Sequence, residues 1–260
     1  MDKILQFDQE AARRLEAMYT TPDVVAQRQE SLRVLALRTG ERVLDIGSGP
    51  GLLALEMGST VGASGAVCGV DISEPMVAMA KARCASQPWI SFETADATRL
   101  PAPDATFDVA VSTQVYEYVG DVAKALAELR RVLRNGGRAL IVDTDWDSVV
   151  WHSTDQGRMA RVLTAWREHL VDPHLPRTLS TKLGQAGFSV KHQQVIPMFN
   201  AVHCANTFSG GLTGIIEAFV VGRNGVTREE AEAWAEDLQL LGQRGEYFFS
   251  LNRYLFLATA

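Results

Sequence analysis

Val43-Leu44-Asp45-Ile46-Gly47-Ser48-Gly49-Pro50-Gly51 is the stretch that decides how this chain is read. An apolar strand carries an acid into three glycines at alternate positions, and the apolar opening of a helix follows. The pattern is that of a strand feeding a tight turn from which side chains are withheld, so that a ligand can lie against bare backbone. A second apolar strand, Ala66-Val67-Cys68-Gly69-Val70, then ends in Asp71. A glycine turn with an acid at the tip of the next strand is how α/β folds hold an adenosine, with backbone for close approach and a carboxylate for the ribose hydroxyls.

Two details bear on which adenosine cofactor is meant. A dinucleotide turn reads Gly-x-Gly-x-x-Gly/Ala, its third small residue letting helix and strand pack closely. Here that position is the bulky Leu52, and the third glycine comes one residue early at Gly51. Asp45, just before the turn, suits an ammonium group better than a pyrophosphate. A ligand with adenosine at one end and a zwitterionic amino acid at the other fits both. VLDIGSGPG resembles the first motif of the class I S-adenosylmethionine (SAM) methyltransferases. The resemblance covers about residues 40–145 and includes Phe107-Asp108-Val109-Ala110-Val111 and Leu133-Arg134-Asn135-Gly136-Gly137. Its order and spacing are similar to those of the quinone-type and natural-product methyltransferases.

The bulk properties agree with a soluble enzyme. The chain has 260 residues, 47% hydrophobic and 22% charged, enough for one sheet covered on both faces. A net charge of −6 and a pI near 5.4 give no general attraction for a polyanion, so nucleic acid is not the expected partner. Cys68, Cys84 and Cys204 form no close pair, which points to a reducing compartment. There is no apolar run of the ~20 residues needed to span a bilayer. The N-terminus is charged throughout, without a signal-type apolar core, and the expected location is the cytoplasm.

The order of segments predicts a doubly wound, mostly parallel α/β sheet of seven strands with an antiparallel last strand. Residues 1–40 read as a helical lid, with a helix starting at Thr21-Pro22 and ending at Thr39-Gly40. Residues 41–150 read as the SAM-binding core. Its strands are expected at 42–46, 66–71, 90–94, 107–112 and 138–143, with helices from about 51, after Ser73-Glu74-Pro75, and over 121–134. The last of these is expected to stop at Asn135-Gly136-Gly137. Residues 151–260 read as the end of the sheet, with strands at 188–196 and 251–258. Helices are expected there at 156–170, 178–186, 211–222 and 227–242, the last opened by a Thr227/Glu230 capping box. About 197–248 would then be a helical insertion covering the substrate.

The resemblance implies roles for particular residues. Asp45 and the turn residues Gly47, Ser48, Gly49 and Gly51 would face the cofactor. Asp71 would accept from the ribose hydroxyls, with helix capping the bland alternative. Ile72 and Met76 would flank the adenine, and Asp96-Ala97 would meet its exocyclic amine, a turn aspartate being the alternative there. Ser112 and Gln114, ending the fourth strand, would lie by the methionine moiety. Arg28, and more weakly Tyr19, would reach it from the N-terminal helix, Arg28 meeting its carboxylate. The segment Ser112-Thr113-Gln114-Val115 lacks the Asn-Pro-Pro-Tyr-like sequence of DNA and protein-glutamine N-methyltransferases, which argues against those substrates.

Methyl transfer from a sulfonium asks mainly for alignment and exclusion of water. Where the nucleophile must lose a proton, His152 is the first candidate base, His203 the second and Tyr116 or Glu117 the next. Trp146, Trp151, Phe199 and Phe208 are either an apolar pocket lining or plain packing. Asp143, Asp145 and Asp147 alternate along an extended segment and do not naturally converge on one ion, so no metal is expected. The expected partner is a small-molecule methyl acceptor, apolar or aromatic, taken by a monomer or homodimer. The competing readings are a SAM-binding methyltransferase-like protein without catalysis, and an NAD(P)-dependent oxidoreductase disfavoured by Leu52 and Asp45.

Overall fold

The glycine turn stands at the middle of an eight-stranded sheet in the computed structural model, which describes residues 15–260. The strands are β1 (Arg42–Ile46), β2 (Ala66–Asp71), β3 (Ile90–Thr94), β4 (Phe107–Thr113), β5 (Leu133–Thr144), β6 (Val150–Trp151), β7 (Ser189–Asn200) and β8 (Phe249–Thr259). The helices are α1 (Pro22–Leu35), α2 (Leu52–Val61), α3 (Glu74–Arg83), α4 (Val122–Val132), α5 (Gln156–Trp166), α6 (Pro176–Gln185), α7 (Phe208–Val220) and α8 (Arg228–Arg244). Strands run in the order β3-β2-β1-β4-β5-β8, with β7 along the far side of β8. The first five are parallel and β8 is antiparallel to β5. The order reverses between β1 and β4, so the crevice above their carboxyl ends is where such a sheet takes its ligand.

The expected seven strands become eight because β5 does not end the pairing on that side of β8. A single 3-10 turn, Trp146–Ser148, interrupts it, and β6 then takes up Phe249 and Ser250 on β8. Helix α4 also ends earlier than expected. Its last residue is Val132, and Leu133 is already extended and paired with Phe107. The glycines Gly136 and Gly137 therefore do not stop a helix. They form an irregular stretch of β5, where Gly136 at φ +77° donates to the carbonyl of Ala260. Helix α1 stops at Leu35, short of Thr39-Gly40, with Ala36 in the left-handed region. Thr21 does not cap it by accepting; its one hydroxyl hydrogen is shared between the Asp23 carboxylate and the Met18 carbonyl, at 2.6 and 2.7 Å.

Other start signals act as their chemistry demands. Ser73 accepts from the Met76 N–H and Asp121 from the Lys124 N–H, satisfying free donors at the heads of α3 and α4. Thr227 accepts from the Glu230 N–H, while the Glu230 carboxylate turns away to Arg161, so only half of the capping box forms.

Two apolar layers flank the sheet. Leu126, Leu129 and Val132 of α4 and Leu179 and Leu183 of α6 pack on one face. Leu35 of α1, Met57 of α2 and Val77 of α3 pack on the other. A third cluster joins α5, α7 and α8 to the ends of β7 and β8, around Trp151, Trp234 and Phe249. The insertion between β7 and β8 thus shares one core with α5 and the N-terminal side, and it begins at residue 201 because β7 runs on to Asn200. The N-terminal helix α1 packs against β5, β7 and β8. Residues 1–14 of the expected lid lie outside the described residues.

Candidate active site

The three glycines of the turn serve three different needs. Gly47 (φ +70°) lies so close to the segment after β4 that a Cβ would meet Val115 Cγ2 at 2.1 Å. Gly51 (φ +79°) lies against α3, where a Cβ would come within 2.9 Å of Ala80. Gly49 (φ +51°) faces open space, and nothing within 4 Å would meet its Cβ. Gly47 and Gly51 are required by packing, whereas Gly49 leaves a surface for a ligand.

That surface is one wall of a cavity that is open at its mouth. Asp45, Gly47, Ser48, Gly49, Pro50 and Leu53 form the wall from the turn; Thr113 and Gln114 come from the end of β4. Tyr19, Val24, Gln27, Arg28 and Ser31 close it from the N-terminal side, and Arg253 reaches it from β8. Seven of the residues expected to touch the cofactor (Asp45, Gly47, Ser48, Gly49, Gln114, Arg28 and Tyr19) therefore meet on one cavity.

Asp45 is the most telling of them. It is 2% exposed, and its Oδ2 is buried with no hydrogen-bond partner. Burial, with the Asp71 charge adding to it, pushes its carboxyl up to about 7. Such a group is costly to leave unpaired and is stabilised by a cationic donor brought into the cavity.

Asp71 does two structural jobs at once. Its Oδ2 accepts from the Gly49 N–H at 2.8 Å and its Oδ1 from the Ser73 N–H at 2.9 Å, tying the turn to the head of α3. A carboxylate has about four lone-pair sites, so these bonds leave room for hydroxyl donors. Burial raises its pKa and the backbone donors oppose that rise.

Gln114 is a non-glycine residue at φ +59°, a conformation that persists only where the surroundings impose it. Its N–H donates to the Val142 carbonyl at 2.8 Å, and its Oε1 accepts from Thr144 Oγ1 at 2.7 Å. Arg28 is held by Glu56, Nε to Oε1 at 2.6 Å, and donates to the Tyr19 carbonyl at 3.1 Å. It fastens α1 to α2 while lining the cavity.

The remaining expected contacts lie elsewhere. Ile72 is 71% exposed beside Asp71, whereas Met76 is buried in the third cluster. Asp96 is exposed and accepts from the Thr98 N–H at 2.7 Å, the turn-aspartate alternative; Ala97 packs at the edge of the α4 layer. Ser112 is buried, its hydroxyl without a partner, and it does not line the cavity.

None of the candidate bases lines the cavity. His152 is exposed, its backbone N–H donating to the Phe248 carbonyl. His203 sits against Tyr247, ring centroids 5.2 Å apart, and burial lowers its pKa. Tyr116 is fully buried with its hydroxyl unpartnered, and burial raises its pKa strongly. Glu117 is buried too; it accepts from Trp146 Nε1 at 3.1 Å, and burial pushes it up to about 7. Trp146, Trp151 and Phe208 are buried packing, and Phe199 is 57% exposed.

The acids after β5 are arranged differently from the expectation. The turn at Trp146–Ser148 brings Asp145 and Asp147 together with His174 within 4.8 Å, while Asp143 stays apart. Arginines occupy that cluster. Arg177 donates to Asp145 at 2.6 and 2.9 Å and to Asp147 at 2.8 Å, and Arg167 reaches Asp147 at 2.6 Å. Four guanidinium hydrogen bonds already engage the two carboxylates, which makes this an ion-pair clasp between the β5 end and α6.

Sequence reading missed Arg253 and Gln27. Arg253 had a signal: in Leu251-Asn252-Arg253-Tyr254-Leu255 it occupies the apolar phase of an alternating strand, the buried side. Gln27 had none beyond its place in a helix.

The chain is similar to known methyltransferases in sequence and in fold. The family model described as "Methyltransferase domain" matches residues 44–141. An uncharacterised 37.1 kDa protein of transposon TN4556 from Streptomyces fradiae is 35% identical over 95% of this chain and 70% of that protein. The ubiquinone/menaquinone biosynthesis C-methyltransferase of Geobacter sulfurreducens is 37% identical over 45% of this chain and 46% of its own length. In fold, phosphoethanolamine N-methyltransferase 2 of Haemonchus contortus, solved with SAM, superposes with a TM-score of 0.64 at 20% identity, covering 98% of this chain and 57% of that one. Residues 44–141 are a methyltransferase domain, in the Rossmann-like fold of the class I SAM-dependent methyltransferases, whose cofactor is SAM. The stretch shared with the quinone enzyme is less than half of either chain, and no described helix is long and apolar enough to cross a membrane.

Proposed function

We propose that this protein transfers a methyl group to an O, N or C atom of a small apolar or aromatic metabolite by in-line displacement, releasing S-adenosylhomocysteine. The observation that carries the reading is the buried, unpartnered Asp45 carboxylate on the cavity wall beside Gly49. An NAD(P)H pyrophosphate beside that carboxylate would meet charge of its own sign; an amino-acid ammonium would satisfy it.

On this reading SAM supplies an electrophilic methyl on a sulfonium. Asp45 holds the ammonium, the backbone from Gly47 to Gly49 lies against the ligand, and Asp71 adds the ribose hydroxyls to the two N–H groups it already binds. Gln114, fixed by Thr144, lines the methionine end. Residues 41–150 then serve as the cofactor core, with 15–40 and 151–260 enclosing it and the insertion covering the acceptor. Calorimetry with SAM, S-adenosylhomocysteine and NAD tests the cofactor, and preferential NAD binding would sink the reading. Mass spectrometry of a metabolite extract incubated with protein and SAM should reveal a new methylated mass; SAM binding with no product would favour the non-catalytic alternative.

A further inference from the structure

Arg253 is 3% exposed, on the strand farthest from the glycine turn among those that line the cavity. Its Nη1 donates to the neutral Gln27 Oε1, and its guanidinium carbon lies 4.8 Å from the centre of the Phe208 ring. Its Nε is buried without a partner, and no described carboxylate forms an ion pair with it. Burial lowers its pKa, and Tyr19, Glu117, Asp23 and Tyr118 oppose that only through longer-range charge interactions. A buried cation on a cavity wall with a donor left over is a site for an anion, and the planar guanidinium matches a carboxylate.

We propose that Arg253 binds a carboxylate in this cavity, and that the carboxylate belongs to the methyl acceptor. Its position supports the second clause. From β1, which carries Asp45, the sheet steps through β4 and β5 to β8, roughly 14 Å at ~4.8 Å per strand. Gln114 and Thr144 lie between, and beneath Arg253 is Phe208, the first residue of α7 in the insertion. Arg253 therefore stands at the end of the cavity next to the cover, while the glycine turn stands at the other. This rests on the methyltransferase reading and narrows its acceptor to an aromatic or apolar acid.

Benzoate is the probe, with benzamide as its neutral match. Ligand-detected NMR titrations are run on the wild type, with and without saturating S-adenosylhomocysteine, and on Arg253→Gln and Arg253→Lys. Benzoate should bind at least about tenfold better than benzamide, lose that preference in Arg253→Gln and keep part of it in Arg253→Lys. S-adenosylhomocysteine affinity should stay within about threefold in both variants. Equal binding of the two probes by the wild type overturns the proposal even if the variants fail to fold. Loss of S-adenosylhomocysteine affinity in Arg253→Gln, without benzoate preference in the wild type, moves the carboxylate to the cofactor and overturns the acceptor assignment. Benzoate preference in a protein that binds no S-adenosylhomocysteine would leave the anion site standing and strike the cofactor reading instead.

Discussion

The two ends of the cavity are built by different means. At the β1–β2 end the wall is backbone: a turn whose glycines are dictated by Val115, Ala80 and empty space, with one buried carboxylate behind it. At the β8 end the wall is side chain: Arg253, Gln27 and the Phe208 ring, brought together from a final strand, an early helix and an insertion. Backbone sites depend on local sequence and are read as motifs. Side-chain sites depend on long-range packing and change with the ligand. The first end therefore suits the invariant cofactor and the second the variable acceptor.

The sharpest way to break this contrast is at Gly47. Gly47→Ala places a methyl 2.1 Å from Val115 Cγ2 at a positive φ, and should cost about 2–5 kcal/mol in denaturant unfolding from strain and overpacking together. Gly49→Ala meets no other atom and carries only the strain of a positive φ, about 1 kcal/mol, so it should lower stability less than Gly47→Ala while weakening cofactor binding. Equal stability losses for both would mean that the turn is not divided between packing and ligand.

Asp45 should govern the pH dependence of binding. Its carboxyl is raised from 3.8 to about 7, so the free folded protein holds a proton there that the unfolded chain has lost. That contribution to stability is fully present below pH 3.8 and is lost as pH rises through about 7. Binding of the cofactor's ammonium needs the carboxylate, so affinity should climb with pH, up to about tenfold per unit between pH 5.5 and 7. In Asp45→Asn the slope should flatten, the affinity at pH 7.5 should fall by about 1.5–3 kcal/mol, and the apo protein should be no less stable at pH 8. Parallel titrations of both proteins from pH 5.5 to 8 check this; an unchanged slope in the variant would remove Asp45 from the ligand site.

Asp71→Ala should weaken cofactor binding by a similar 1.5–3 kcal/mol and also lower Tm, since the N–H groups of Gly49 and Ser73 lose their acceptor. A fall in Tm with unchanged affinity would reduce Asp71 to a tie between turn and helix. Toward the other end, Asp23 accepts from Asn200 Nδ2 and from the Phe208 N–H, both at 2.8 Å, joining α1 to β7 and α7. Asp23→Ala should lower stability by roughly 1–2 kcal/mol with little effect on S-adenosylhomocysteine affinity, read by thermal unfolding and calorimetry. The smallest effect is expected at His152: exposed and off the cavity wall, His152→Ala should leave turnover within about threefold of wild type. A large loss of turnover with cofactor affinity intact would restore it as the base.

Much of the sheet was legible because each βα unit is marked locally. Ser73 and Asp121 act through N–H groups three residues on, Val43–Gly51 is a continuous run, and strands β1 to β4 lie where the alternation puts them. The misreadings share one cause. Gly136 and Gly137 looked like a helix stop, yet they belong to a bulged strand held by Ala260, over a hundred residues later. Asp145 and Asp147 looked too extended to converge, and a 3-10 turn brought them together with His174 and two arginines. His152 followed the fifth strand as a base candidate should, but β6 paired with β8 and carried it to the surface.

What the sequence determined by itself was the class of fold and the cofactor end. A turn that must admit bare backbone, and an acid at a strand tip, can be met by few residue types, and their spacing is covalent. Only the tertiary structure decided the other end. Gln27 and Arg253 are 226 positions apart and meet because α1 packs across β8. Nothing local in either segment encodes that meeting, since it follows from burying the apolar faces of the helices and the sheet between them.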